Sequence, residues 1–251
     1  MMDSCAVNGF FSPAQRKRYL EAAGRRHSVR VYRGDASLEQ LSALQYTAGR
    51  VFLPGARVSL GEAPAETLFR KLPFVNAVRG IRHYAAVIAD DSIPHAVIHA
   101  GVCGEAFALE CTALGLGSCW VAAFKRGGVN IPLEKGEKVK ALIAFGVSGE
   151  EEGPRKRKKL NEICFPDPAP WPLWAYNAAE CVRIAPSAMN LQPWRLDFAG
   201  RTLALSEARP GLSLDQGIAL LHMTLGVGEK PHVISWGEGK EIASLIAEDR
   251  L

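Results

Sequence analysis

The sequence has six cysteines but no Cys-x-x-Cys pair, and its histidines form no cluster. A zinc site needs clustered thiolate or imidazole ligands, so we expect no metal site. No run of about 18 uncharged apolar residues occurs, which argues against a membrane-spanning helix. The first residues lack a basic start before an apolar run, so a secretory signal is not expected. We therefore expect a cytoplasmic protein whose cysteines are free, buried thiols.

The chain also lacks a strong charge of either sign. It carries 30 basic and 26 acidic residues, and the basic excess lies in residues 16–33 and in the run RKRKK at 155–159. Such runs can bind a nucleic-acid backbone or a small phosphate ester. Neither run contains interleaved aromatic residues or a nucleic-acid-binding motif, so we expect no nucleic-acid partner. A simple solvated face stays open as the alternative for both runs.

Local signals predict a mixed helix and strand chain with a large core, since 48% of its 251 residues are hydrophobic. Two Ser-x-x-Gln capping boxes, Ser12–Gln15 and Ser37–Gln40, predict helices that begin just after each serine. The second helix should place Leu38, Leu41 and Leu44 on one face. The remaining predicted elements are a strand at 83–89, a helix after residue 94 that ends at 114–118, strands at 119–124 and 138–148, a helix at 174–184, a hairpin at 194–207, a helix at 213–227 and a strand at 232–236.

The charged and proline-rich stretch between residues 150 and 172 predicts a division of the chain. We expect an N-terminal half at 1–150, a linker at 151–172 and a C-terminal half at 173–251. Residues 106–117 and 217–228 each read as a helix that ends in Leu-Gly-Leu-Gly or Leu-Gly-Val-Gly. Together with a similar order of elements in both halves, this predicts an internal repeat.

Four segments resemble the nitroreductase family of FMN-dependent oxidoreductases. They are RRHSVRVY at 25–32, GEAFALECTALGLGSCWVAAF at 104–124, RKRKKLNEICF at 155–165 and APSAMNLQPWRL at 185–196. The resemblance implies an α+β fold of two pseudo-symmetric α/β halves, each a mainly antiparallel sheet packed with helices. It also implies an enzyme that uses FMN and takes electrons from NADH or NADPH.

The order of the motifs departs from the usual family pattern. In ordinary members the Pro-Ser-x-x-Asn-x-Gln-Pro-Trp loop follows the Arg-x-Ser-x-Arg element closely, and here it lies about 160 residues later. Residues 48–63 take the place of that loop in the first half and lack its Asn and Gln, while residues 167–177 in the second half contain no arginine. Because ordinary members are homodimers with flavins at the interface, the resemblance implies two fused subunits with one intact flavin site. Such a chain should function as a monomer.

The phosphate of FMN carries about two negative charges and needs charge-assisted donors. Arg26, Ser28 and Arg30 alternate, so in extended backbone all three face one way. By resemblance they bind the phosphate and ribityl chain, with the backbone of His27 nearby. Arg155 and Arg157 match the second basic pair of the family, although an exposed charge run remains the alternative for these two residues.

The flavin ring needs a flat apolar slot with a few polar groups. By resemblance the second half supplies Pro186, Ser187 and Ala188 along the ring, with the amides of Asn190 and Gln192; the alternative is that these amides only hold the loop together. The backbone at Val121 and Ala122 would lie beside flavin N5. We expect Trp194 to be a core residue.

These implications give a function and one alternative. The first hypothesis is an NAD(P)H oxidoreductase that reduces a flat small-molecule acceptor, such as a nitroaromatic or a quinone. The flavin performs the redox chemistry, so no catalytic side chain is expected. The alternative is a flavin-binding or sensing protein with little turnover.

Overall fold

The computed structural model describes residues 5–69, 78–151, 156–211, 213–228 and 232–248. In chain order the helices are α1 (Pro13–Arg25), α2 (Leu38–Ala48), α3 (Ala65–Leu68), α4 (Ala96–Ala113), α5 (Leu173–Ile184) and α6 (Ser213–Gly226). The strands are β1 (Tyr32–Gly34), β2 (Ala56–Glu62), β3 (His83–Asp90), β4 (Gly117–Val121), β5 (Glu137–Ser148), β6 (Cys164–Phe165), β7 (Trp194–Ala199), β8 (Thr202–Glu207), β9 (His232–Trp236) and β10 (Glu241–Ala247). The mixture of helices and antiparallel sheets confirms the predicted α+β class.

The chain divides into two compact units. The central unit comprises residues 25–155, and the composite unit comprises residues 1–24 together with 156–251. The sequence prediction placed residues 1–24 in the first half instead. The side chain of Asn8 shows why they belong with the C-terminal part, because its amide donates to Ile234 O at 2.7 Å and accepts from Ile234 N–H at 2.8 Å. Part of the predicted linker also differs, since β6 pairs with β7 in parallel.

The central unit holds an antiparallel sheet in which β2 pairs with β3 and β3 pairs with β5. The other edge of β5 pairs with β4 and, at its end, with β1. Helix α4 packs on this sheet and is buried around most of its circumference. It has the length and hydropathy of a membrane span, yet 78% of that window is buried inside the protein. This burial is typical of a core helix.

The composite unit holds a second sheet with the strand order β6-β7-β8-β10-β9. All pairs except β6–β7 are antiparallel. Helices α5 and α6 pack closely against each other. The contact leaves no room for a side chain at Gly226, since an added Cβ would lie 2.6 Å from Ala178 Cα. A glycine at this position therefore sets the approach of the two helices.

The two units share one connectivity. The central unit runs α2, β2, β3, α4, β4, β5, with the short α3 between β2 and β3, and the composite unit runs α5, β7, β8, α6, β9, β10. The strands pair as β2-β3-β5-β4 in one and as β7-β8-β10-β9 in the other. In both sheets, the strands that follow the leading helix therefore lie in the spatial order first, second, fourth, third.

Most elements predicted from the sequence are confirmed, including both capping boxes and the hairpin that turns at Gly200 with φ +60°. The predicted apolar face of α2 is wrong at Leu38, which is 84% exposed, whereas Leu44 is buried. Leu38 is the first residue of its helix and extends beyond the packed part. Strands β1, β2, β6 and β10 were not predicted. Strand β2 lies within residues 48–63, which the resemblance placed at the position of the family's loop.

All six cysteines are free and buried, as the sequence analysis expected. Burial raises the pKa of the Cys5 thiol to about 11 and that of Cys164 to about 12. A thiol with so high a pKa is a poor nucleophile at neutral pH. In the part of the chain that the structure describes, no group of three or more His, Cys, Asp or Glu residues could hold a metal ion.

Candidate functional site

The Arg26-x-Ser28-x-Arg30 segment lies in the central unit, in extended backbone beside the start of β4. Val29 N–H donates to Ser118 O at 3.0 Å, and Ser28 forms a parallel bridge with Ser118. Val29 is fully buried in the apolar core. Because side chains alternate along extended chain, the burial of Val29 in the core places Ser28 and its two arginine neighbours on the other side.

The side chains of this motif influence the thiol of Cys119 in β4. Burial raises the pKa of the Cys119 thiol, while Arg30, Arg26 and the Ser28 side chain act in the opposite direction. Two guanidinium groups and a hydroxyl on one short segment form a suitable donor set for a phosphate ester.

Arg26 is 2% exposed and forms an ion pair within the core. Its Nε lies 3.7 Å from Oε1 of Glu105, which is completely buried in α4. The other carboxylate oxygen of Glu105 accepts a hydrogen bond from Trp120 Nε1 at 2.8 Å. Gly104 makes room for the indole, since an added Cβ would lie 2.3 Å from its ring. Glu105 thus connects the basic motif to β4.

A second carboxylate holds the backbone at the other end of the motif. Glu150 accepts the N–H of Arg30 at 3.0 Å and the N–H of Val31 at 3.2 Å. Sequence reasoning identified neither Glu105 nor Glu150. Glu105 could have been found as a charged residue within an apolar helix, but Glu150 begins an acidic run and gave no such signal.

The backbone expected beside flavin N5 lies at the end of β4. Val121 is partly exposed and ends the strand, and Ala122 is exposed. Near the start of the same strand, the Ser118 hydroxyl is buried, and among the described residues it has no hydrogen-bond partner. His27 Nε2 is also buried and has no hydrogen-bond partner among the described residues. Buried polar atoms of proteins usually have partners, so these two atoms fit a polar ligand.

In the composite unit, residues 185–194 form a tight loop with an unusual backbone. Met189, Asn190 and Gln192 have φ values of +51°, +56° and +47°, in the left-handed region that costs non-glycine residues free energy. Pro186 is buried, Ser187 is partly buried and Ala188 is exposed. Trp194 is 2% exposed, which confirms that it is a core residue.

The loop amides bind the neighbouring basic segment. Gln192 is 3% exposed, and its Oε1 accepts the N–H of Lys158 at 2.9 Å. Asn190 is exposed, and its Oδ1 accepts from Arg157 Nη1 at 2.9 Å while its Nδ2 donates to Lys156 O at 3.0 Å. These bonds agree with the alternative interpretation of Asn190 and Gln192, in which the two amides hold the loop together.

Arg157 is also used within the loop, because its Nε and Nη2 both donate to Ile184 O, at 3.3 and 3.1 Å. The basic run is therefore no simple solvated face at this residue. Arg155, the other member of the predicted basic pair, lies outside the described residues.

A buried carboxylate holds the loop from the side of α6. Both oxygens of Asp215 lie near the N–H of Ala188, at 3.0 and 3.2 Å. Burial raises the pKa of Asp215, and the bond from Ala188 opposes that shift. Asp215 was also missed in the sequence, since a lone acidic residue in the first turn of a helix is common.

Each unit thus carries one group of predicted residues. The central unit holds Arg26, Ser28 and Arg30 on one segment beside the start of β4, with Val121 at the end of that strand. The composite unit brings together Ser187, Asn190, Gln192 and Arg157, with Pro186 and Ala188 in the same loop.

Comparison with known proteins identifies the family. The family model described as "Putative TM nitroreductase" matches residues 19–227, well over half of the chain. A nitroreductase structure from Thermotoga maritima is 25% identical with a TM-score of 0.65, covering 91% of this chain and 93% of its own. No curated protein matches the chain.

Two further structures match a smaller part of the chain. An NADH dehydrogenase/NAD(P)H nitroreductase from Bacteroides thetaiotaomicron is 17% identical with a TM-score of 0.47, covering 59% of this chain and 96% of its own. A nitroreductase with bound FMN from Desulfitobacterium hafniense is 15% identical with a TM-score of 0.47, covering 58% and 96%. Because the family model matches well over half of the chain, this protein belongs to the nitroreductase family of oxidoreductases.

Proposed function

We propose that the chain is an FMN-dependent NAD(P)H oxidoreductase that reduces a flat acceptor such as a nitroaromatic or a quinone. The observation that carries the proposal is the position of Arg26, Ser28 and Arg30 on one short extended segment beside the start of β4. The buried Ser118 hydroxyl beside this group adds a polar atom that a ligand would satisfy. These residues fit a phosphate ester, which FMN has and a nicotinamide-only or metal site does not require.

The proposal assigns each group of residues a part of one site. Arg26 and Arg30 neutralise the phosphate, and Ser28 donates its hydroxyl. The backbone at Val121 and Ala122 lies beside the reactive end of the ring, and the loop with Asn190 and Gln192 supplies the slot. A bound flavin would supply the redox chemistry, hydride uptake from the nicotinamide and electron transfer to the second substrate. The role of the chain is to bind, orient and desolvate, so no side chain acts as an acid or base.

The shared connectivity of the two units supports the further proposal that the chain is a fusion of two family subunits. One site would then be complete, because residues 48–63 lack the loop amides and residues 167–177 lack the arginines. On this proposal the protein works in the cytoplasm without a partner subunit.

Titration of the purified protein with FMN, followed by NADH or NADPH, tests the proposal. We expect a bound-flavin spectrum that bleaches within seconds of adding one of the nucleotides. Arg26→Ala should weaken FMN binding, while Arg33→Ala, which removes an exposed arginine of the same segment, should not. Protein that binds no FMN would refute the proposal.

A second candidate is a flavin-binding or sensing protein with little turnover. It is favoured by one observation: Asn190 and Gln192 already bind neighbouring residues, so the loop has fewer groups to offer a substrate. Stopped-flow mixing separates the two, because a sensing protein would bind FMN but show no bleaching on the timescale of turnover.

A further inference from the structure

Glu105 is the feature of the central unit that the proposed flavin site does not explain. It is fully buried, lies in an apolar helix and forms an ion pair with Arg26, a residue assigned to the phosphate. Ionised groups are almost never buried completely unless they are paired. The pair therefore satisfies a charge requirement of Arg26 before any ligand arrives.

We propose that Glu105 is a positioning residue that acts through Arg26 as its internal counter-ion, and that it sets how strongly the site prefers a phosphorylated flavin over an unphosphorylated one. This inference rests on the proposed function. With phosphate bound, Arg26 would be shared between two anions, Glu105 and the ligand. Two anions that compete for one cation weaken each other's binding.

The Glu105 carboxylate is held in a fixed position by its hydrogen bond with Trp120. Trp120 Nε1 donates to Oε2 at 2.8 Å, and the indole is seated against Gly104. The carboxylate is thus fixed from β4 and presents Oε1 towards Arg26 Nε. A fixed counter-ion keeps its negative charge beside Arg26 both before and after a phosphate binds.

Glu105→Gln is the informative variant, because it keeps the shape and can still accept the Trp120 N–H. Removal of the charge takes one anion from Arg26. We expect the protein without flavin to unfold at a lower denaturant concentration. We also expect FMN to bind about fivefold tighter or more, while riboflavin, which has the same ring but no phosphate, binds as it does to the wild type. Glu105→Asp, which keeps the charge, should leave the FMN-to-riboflavin affinity ratio close to that of the wild type.

The ratio separates this role from a scaffolding role, which would change both affinities together. An unchanged or lowered ratio in Glu105→Gln would overturn the inference. Wild-type protein that binds neither flavin would instead overturn the proposed function.

If Glu105→Gln does not fold, the pair can be tested from the other side. Arg26→Gln leaves Glu105 without this cation, and adding Glu105→Gln in that background should recover part of the lost stability. Losses that simply add in the double variant would refute the coupling between the two residues.

Discussion

Gln192→Ala and Asn190→Gly test which loop amide stabilises the fold and which is available to a ligand. Gln192 is 3% exposed, and its removal leaves the Lys158 N–H without the acceptor that it has at 2.9 Å. An unsatisfied buried donor costs about 1–3 kcal/mol. The lost packing of the side chain adds about 0.8 kcal/mol per buried methylene. We therefore expect Gln192→Ala to lower the free energy of unfolding by about 2–4 kcal/mol.

Asn190 should behave differently because it is exposed. Water can replace it as the partner of Arg157 and Lys156, which limits the cost to below about 1 kcal/mol. Glycine adopts the left-handed backbone at φ +56° without strain, so Asn190→Gly removes the amide alone. Its expected effect is on the ligand: FMN binding should weaken by about threefold to tenfold, the value of one hydrogen bond.

Urea unfolding of the flavin-free protein, followed by tryptophan fluorescence, measures the stability of both variants, and FMN titration measures affinity. The reasoning about Gln192 is wrong if Gln192→Ala is within about 0.5 kcal/mol of the wild type. If Asn190→Gly binds FMN as tightly as the wild type, Asn190 serves only to hold the loop together.

Three further predictions concern stability and assembly. The pKa of Asp215 is raised in the folded chain, so the folded chain binds the carboxyl proton more tightly than the unfolded chain does. The stability that this proton contributes is complete below pH 3.8 and is lost as pH rises through the raised pKa. Asp215→Asn, which cannot titrate there, should therefore gain stability relative to the wild type as the pH rises above 3.8 in paired urea melts; a pH-independent difference would contradict this. Gly226→Ala should lower the free energy of unfolding by about 1–3 kcal/mol, because its Cβ meets the backbone of α5, whereas Gly24→Ala, with nothing within 4 Å, should be neutral or stabilising in the same assay. Light scattering should give a mass near 27.2 kDa for active protein, and a dimer that loses flavin on dilution would refute a self-sufficient chain.

Local rules predicted the helices of this protein well because the signals and their partners are close in sequence. In each capping box the serine and glutamine are three residues apart and bond to each other. The same reasoning failed for the unit boundary. Asn8 pairs with Ile234, 226 residues away, and no local pattern announces such a partner.

The candidate site shows the same limit at the level of single side chains. The motifs that resemble the family predicted that Arg26, Arg157 and Gln192 belong to functional segments. They did not indicate that Glu105 lies against Arg26, or that Arg157 donates to Ile184 O. Hydrogen-bond partners across a fold are set by packing, so a motif predicts where chemistry is placed better than it predicts which groups remain available for it.

The bonds of the loop determine what it can do for a ligand. Its left-handed residues would relax in an isolated peptide, and here they are held from one side by Arg157 and Lys158 and from the other by Asp215. A loop fixed in this way reaches a ligand already ordered, so binding requires little further loss of conformational entropy. The same bonds engage Arg157 with Asn190 and Ile184, which reduces its availability to a phosphate. On the proposed function, neutralisation of the phosphate would then depend mainly on Arg26 and Arg30, which is why the charge of Glu105 should influence the choice of flavin.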